Sequence, residues 1–275
     1  MIAAFPDEID LMKIAESGQI FSCGQMKEPG YFWFLSSGNL LVARQIDPQH
    51  IEAFCEATTW DSFWSAFFDA GRDYRPLRRA MDKKGGISAA AAREGAGLRV
   101  LRQDPWEMLV SFIVSQRKSI PAIRTCLAKL SDYGQPVPDA ESTGLPGLRQ
   151  LPAPDVLAKL TGQQLSQCGT GYRAGYLHDA AQKVSGGKLD LSAAGRLDDA
   201  ALQAALMRVK GVGGKVADCV MLFAYGRTDR VPADVWIRRV EKRCPDAFAG
   251  IASPGLAQQY LFFYARRHGR DGLFL

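Results

Sequence analysis

The chain has 275 residues, 47% of them hydrophobic and 23% charged, with a formal net charge of +5. That balance is enough for two or three small apolar cores and excludes a disordered or low-complexity chain. No apolar run approaches the roughly 18 residues needed to span a bilayer, and the opening MIAAFPDEIDLMK lacks the basic-then-apolar order of a signal peptide.

In chain order, Tyr31–Leu35, Ser36-Ser37-Gly38-Asn39 and Leu40–Ala43 read as strand, turn and strand, an antiparallel hairpin. From Pro48 to Phe68 the pattern turns helical, with Phe54, Trp60, Phe63, Trp64 and Phe67 expected in a core. A Gly- and Ala-rich stretch, 83–97, has room for a short helix and also carries the loop signals of a boundary. Asp104-Pro105-Trp106-Glu107 combines an N-cap acid, Pro at the first helical position and Glu at the third, and so opens a helix through Met108–Val114. A second helix is expected over Pro121–Leu130, then a Pro- and Gly-rich connector, 134–154, and a further helical run after Gly169-Thr170-Gly171-Tyr172-Arg173.

Six cysteines, at positions 23, 55, 126, 168, 219 and 244, make no CxxC pair and no cluster with metal spacing. The expectation is a reduced, cytoplasmic protein of bacterial type, monomeric, with no metal and no cofactor. Charge is unevenly spread. Between Ala205 and Cys244 there are nine Lys or Arg against four acids, which suits a polyanionic partner or a merely solvated basic face.

The segment Leu206–Phe223 carries the chemistry. Apolar residues on both sides of Gly211-Val212-Gly213-Gly214 predict two helices joined by a tight turn, because glycine tolerates positive φ and close backbone approach. The turn leaves N–H groups unpaired at the start of the second helix, where the dipole favours an anion such as a DNA phosphate. Lys215 stands against that dipole, which points to a purpose other than helix stability. Nineteen residues on, Asp234 in Val231-Pro232-Ala233-Asp234-Val235-Trp236 has the position of a helix N-cap. A carboxylate there stays ionised and can stabilise positive charge developing on a sugar.

The hairpin, Lys215 and the Pro-Xaa-Asp loop resemble the helix-hairpin-helix DNA glycosylase superfamily, and specifically its 8-oxoguanine DNA glycosylase/lyase branch. The resemblance implies an α+β fold, an N-terminal antiparallel sheet domain with flanking helices over residues 1–100, followed by a helical domain over 101–275 with its hairpin at about 205–225. It also implies excision of 8-oxoguanine from duplex DNA, with Lys215 as the nucleophile that forms a Schiff base, Asp234 as the charge stabiliser, and β-elimination as the lyase step. Base recognition is implied for Gly18, through its carbonyl, and for Cys219, Gln258 and Phe262; DNA contacts are implied for Gln116, Arg117, Tyr172, Arg173, Gly211, Gly213 and Gly214. The partner that the resemblance implies is double-stranded DNA carrying an oxidised purine, and no membrane is expected to be involved.

The sequence departs from the family pattern in places. Gln116-Arg117-Lys118-Ser119 replaces an asparagine-rich run, Ala122 stands at a cytosine-reading arginine and Trp236 at a histidine, so discrimination of the base opposite the lesion is expected to be weak. Two other readings stay open at this level. In a monofunctional alkylpurine glycosylase water would attack and Lys215 would only bind phosphate; in a non-catalytic DNA-binding protein the hairpin would be a phosphate clamp.

Overall fold

A computed structural model describes residues 1–269. The chain groups into two compact units that are not sequential. The first comprises residues 1–33, 41–102 and 226–269; the second comprises 34–40 and 103–225. Among the described residues no helix is long and apolar enough to cross a membrane.

The first unit opens with β1 (Ile2–Ala4), α1 (Leu11–Glu16), β2 (Cys23–Gln25), β3 (Tyr31–Ser36), β4 (Asn39–Asp47) and β5 (His50–Ala53). The strands form one sheet in the order β1-β5-β4-β3-β2, in which β5 pairs antiparallel with both β1 and β4. The expected hairpin is β3–β4. Its two-residue turn, Ser37 at φ +50 and Gly38 at φ +75, has the two left-handed residues that match the twist of paired strands. The helical reading of 48–56 is corrected. Residues 50–53 are β5, because pairing to β1, Ile2 opposite Glu52, overrides the local pattern. Phe54, expected in the core, is 48% exposed and lies against Tyr31 with ring centroids 5.8 Å apart.

Helix begins instead at α2 (Ala57–Thr59), runs through a π-turn over Trp60–Trp64 and ends in α3 (Ser65–Phe67). The wider turn stacks Trp60 on Phe68 and sets Trp64 edge-on to Phe67, so Trp60, Trp64, Phe67 and Phe68 are all buried. Next come α4 (Arg75–Lys84) and α5 (Gly86–Glu94), the latter inside the stretch that carried loop signals. Arg99 is fully buried, and no carboxylate among the described residues pairs with it. Its guanidinium donates to the carbonyls of Phe68 (3.0 Å), Asp69 (2.5 Å) and Arg72 (2.6 Å), between the rings of Phe5 and Tyr74.

The second unit is helical: α6 (Pro105–Ser115), α7 (Ile120–Ser131), α8 (Pro154–Leu157), α9 (Gly162–Gln167), a 3-10 turn at Gly171–Arg173, α10 (Ala174–Ser185), α11 (Leu191–Ala194), α12 (Asp199–Met207) and α13 (Gly214–Phe223). Asp104 caps α6 as its sequence predicts, accepting from Glu107 N–H at 2.9 Å. The chain then returns to the first unit with α14 (Val235–Arg243) and α15 (Pro254–His268), whose Leu256, Ala257, Tyr260, Leu261 and Phe263 are buried.

Candidate active site

In the second unit the hairpin is α12, a turn and α13. Buried Leu206, Val209 and Val212 anchor the turn from inside. Of its glycines only Gly211 has a left-handed φ, +78°, and a Cβ there would fall 2.1 Å from the ring of Tyr176. Gly211 is therefore required twice over. Gly213 is the N-cap of α13 in extended geometry, and a Cβ on Gly213 or Gly214 would meet open space. Among the described residues no side chain caps α13, so its first N–H groups keep their capacity for an anion.

Lys215 is half-buried in the first turn of α13, with Nζ 5.3 Å from the centroid of the Phe112 ring, which itself stacks on Phe223. Cys219, one turn further along the same helix, is 2% exposed. Around the turn, Lys210 N–H donates to Asp179 Oδ2 at 2.7 Å, and Lys183 Nζ bridges Asp179 and the Arg208 carbonyl, each at 2.7 Å. Burial would raise the Asp179 pKa, but the Lys183 side chain and the Lys210 N–H together bring it below the usual carboxylate value.

The DNA-contact candidates of this unit meet at Gln116. Its amide donates to the carbonyls of Gly211 (3.2 Å) and Ile113 (3.3 Å), while its own carbonyl accepts from Arg173 Nη2. Arg173 is only 6% exposed, gives a second bond to the Thr170 carbonyl at 3.1 Å, and lies 4.3 Å from the ring centroid of Tyr172. Tyr172 is 55% exposed. Arg117 is exposed and holds φ +52, a strained conformation for a long side chain. Gln116 thus ties α6, the Tyr172-Arg173 turn and the hairpin together, and its side chain is engaged in that work.

In the first unit Asp234 caps α14, its Oδ1 accepting from Trp236 N–H at 3.0 Å and Ile237 N–H at 2.8 Å. Gln258, buried on α15, points its Nε2 at the Pro232 carbonyl, 3.4 Å away in the loop that carries Asp234. Its Oε1 is buried and accepts no hydrogen bond from any described residue. A buried acceptor without a partner is costly, and a ligand's N–H would satisfy it. Phe262, one turn on, is half-buried with the Arg266 guanidinium 5.9 Å from its ring centroid. Gly18 follows α1 at φ +78.

Residues 1–109 match the family profile of the 8-oxoguanine DNA glycosylase N-terminal domain, and residues 110–247 match that of the HhH-GPD superfamily base excision DNA repair proteins. The chain belongs to the HhH-GPD superfamily. Among solved superfamily structures, MBOgg1 in complex with a low-affinity DNA ligand is 32% identical, with a TM-score of 0.87 over 98% of this chain and 96% of that one. The Clostridium acetobutylicum 8-oxoguanine glycosylase/lyase, in complex with dsDNA containing cytosine opposite 8-oxoG, is 27% identical with a TM-score of 0.85, covering 98% of each chain. The N-glycosylase/DNA lyase of Saccharomyces cerevisiae is 33% identical over 161 residues, 54% of this chain and 42% of that protein. The chain spans about half the length of the curated relatives it matches.

Three supporting residues of this HhH-GPD chain escape sequence reasoning. Asp179 and Lys183, which shape the hairpin turn, read locally as an i,i+4 ion pair on a solvated helix. Gln259, whose Nε2 donates to the Ser17 carbonyl at 3.0 Å, acts across 242 residues of sequence and leaves no local signal.

Proposed function

We propose that this protein is a bifunctional DNA glycosylase/AP lyase that removes 8-oxoguanine from duplex DNA. The observation that carries the reading is the placement of Lys215, an amine in the first turn of a helix whose uncapped N-terminus follows an open glycine turn. Its Nζ is 5.3 Å from the Phe112 ring centroid, on a helix whose buried Cys219 lies one turn away. The kinship with proteins called N-glycosylase/DNA lyase and 8-oxoguanine glycosylase/lyase supports the same chemistry.

In the mechanism, backbone N–H groups of Gly213, Gly214 and their neighbours hold a phosphate, and the exposed Tyr172 wedges the duplex where the lesion is extruded. Extrusion costs a few kcal/mol of unstacking, recovered by contacts to the flipped base. The neutral Lys215 amine attacks C1′ as the glycosidic bond breaks. The bonding electrons leave with the base, which takes up a proton. Positive charge gathered on the sugar is countered by the Asp234 carboxylate. The remaining N–H proton passes to the ring oxygen O4′ as the C1′–O4′ bond breaks, leaving an open-chain Schiff base and a C4′ hydroxyl; removal of a C2′ proton then expels the 3′ phosphate and nicks the strand.

Borohydride reduction tests this directly. On a duplex containing 8-oxoguanine the wild-type protein should form a covalent protein–DNA adduct, and Lys215→Gln should form none and leave the base in place. Excision persisting in Lys215→Gln, without any adduct in the wild type, would replace this reading with a water-attacking glycosylase.

A further inference from the structure

The segment that carries Gly18 is fastened at every residue around that glycine. On its N-terminal side, the Arg266 guanidinium donates to the Glu16 carbonyl, Arg267 pairs with the Glu16 carboxylate at 3.1 Å, and Gln259 Nε2 donates to the Ser17 carbonyl at 3.0 Å. On its C-terminal side, Gln19 is fully buried, its Nε2 donating to the Arg99 carbonyl and its Oε1 accepting from Leu101 N–H, both at 2.8 Å. Arg99 is itself locked by the carbonyls of Phe68, Asp69 and Arg72. Between these holds, Gly18 sits at φ +78, and its carbonyl accepts no hydrogen bond from any described residue.

The anchors come mainly from α15. Consecutive residues of that helix reach two different loops: Gln258 addresses the Pro232 carbonyl beside Asp234, and Gln259 the Ser17 carbonyl beside Gly18. Gln259 is 2% exposed, so its amide has no water to turn to and the Ser17 bond is its fixed employment. A hydrogen-bond acceptor discriminates only if it is held where the ligand's donor arrives, since a shift of a few tenths of an ångström weakens the bond and lets a competing geometry form.

We propose that Gln259 is a positioning residue for lesion discrimination: through the Ser17 carbonyl it holds the Gly18 carbonyl in register with Gln258, so that a purine bearing N7–H is accepted and one whose N7 is an acceptor is refused. The inference rests on the 8-oxoguanine reading above. Guanine turns a lone pair toward that carbonyl and its 8-oxo form turns a hydrogen, so a rigid carbonyl separates the two and a mobile one does so less. Gln259 touches no substrate and acts on selectivity, not on the bond-breaking step.

The test uses Lys215→Gln as a background that binds without turning over, with and without Gln259→Met, which keeps length and volume but removes the donor. Affinities are measured for three duplexes holding 8-oxoguanine, guanine or a tetrahydrofuran abasic analogue at the same position. The expected result is a fall of about tenfold in the ratio of 8-oxoguanine to guanine affinity, with abasic-analogue affinity unchanged. An unchanged ratio in the folded double variant, or an equal loss on all three duplexes, would overturn the proposal. A background that never preferred 8-oxoguanine would instead overturn the functional reading on which it rests. Should Gln259→Met fail to melt cooperatively, Arg266→Lys, which shortens the donor to the Glu16 carbonyl and keeps its charge, is expected to lower the ratio in the same direction, and an unchanged ratio there counts against the proposal equally.

Discussion

Asp234 caps α14 with one oxygen, so a loss of activity on its removal would by itself be ambiguous between helix fraying and lost electrostatics. Asparagine separates the two roles, because it caps as well as aspartate does and carries no charge. Asp234→Asn is therefore expected to leave the melting temperature nearly unchanged while lowering single-turnover excision by about a hundredfold or more. Equal excision by the two proteins would reduce Asp234 to a cap. At this scale much of the candidate site was legible: a Gly-rich turn, a lysine set against a helix dipole and a Pro-Xaa-Asp loop are all local signals. The reasons behind them were less so. Gly211 alone needs positive φ, and it is also a contact surface for Tyr176, whereas Gly213 and Gly214 matter for the open backbone they leave. Gln116 and Arg173, readable as DNA-facing polar residues, are spent on carbonyls of their own unit, a use that only the folded neighbours reveal.

Among the elements, the start of α6 holds the tip of the β3–β4 hairpin. Glu107 accepts from Ser36 Oγ at 3.0 Å and Ser37 N–H at 2.9 Å, and Asp104 accepts from Ser37 Oγ at 3.1 Å. Burial and then the adjacent Asp104 push the Glu107 pKa up from 4.5 to about 8, against the opposing pull of the Ser36 and Ser37 donors. The folded protein consequently holds a proton on Glu107 that the unfolded chain gives up. Stability from this source is complete below pH 4.5 and is lost as pH rises toward about 8. Asp7 and Asp179 run the other way, but their lowered values act below their ordinary 3.8, outside that window. Urea titrations at several pH values from 5 to 8 should show the denaturation midpoint falling in wild type and falling less in Glu107→Gln; parallel lines would remove Glu107 from the account. The cap itself was written in Asp104-Pro105-Trp106-Glu107. Its second use, as a clasp on a hairpin 70 residues earlier, was not. Strand β5 was hidden for the same reason, since what makes residues 50–53 a strand is β1 at the other end of the pairing.

For the molecule as a whole, the decisive fact is that the first unit is discontinuous. Its helices α4 and α5 are completed by α15, whose Tyr260 hydroxyl donates to the Leu98 carbonyl at 2.9 Å and whose ring lies 2.5 Å from where a Cβ on Gly95 would be. Arg267 adds an ion pair to Glu94 at 2.9 Å. Nothing in composition or periodicity announces that the segment after Gly226 returns to residues 1–102, because the evidence for it is tertiary: buried faces that only fit one another. A consequence follows for a chain ended at Tyr225, which keeps the sheet, the hairpin and Lys215. The second unit retains every segment it needs, whereas the first loses the apolar face of Leu256, Tyr260, Leu261 and Phe263 that closes its core. Removing several fully buried side chains at once exceeds the 5–15 kcal/mol, roughly, by which a domain is stable. Limited chymotrypsin digestion read by mass spectrometry should accordingly cut the shortened chain rapidly within 1–33 and 41–102 and, apart from the exposed Tyr172, spare 103–225, whose other aromatic side chains are mostly buried or half-buried. Equal protection of 41–102 in the shortened and full-length chains would mean that the N-terminal segments fold without α15, and the positioning of Gly18 by that helix would then be an addition to a finished unit instead of part of its construction.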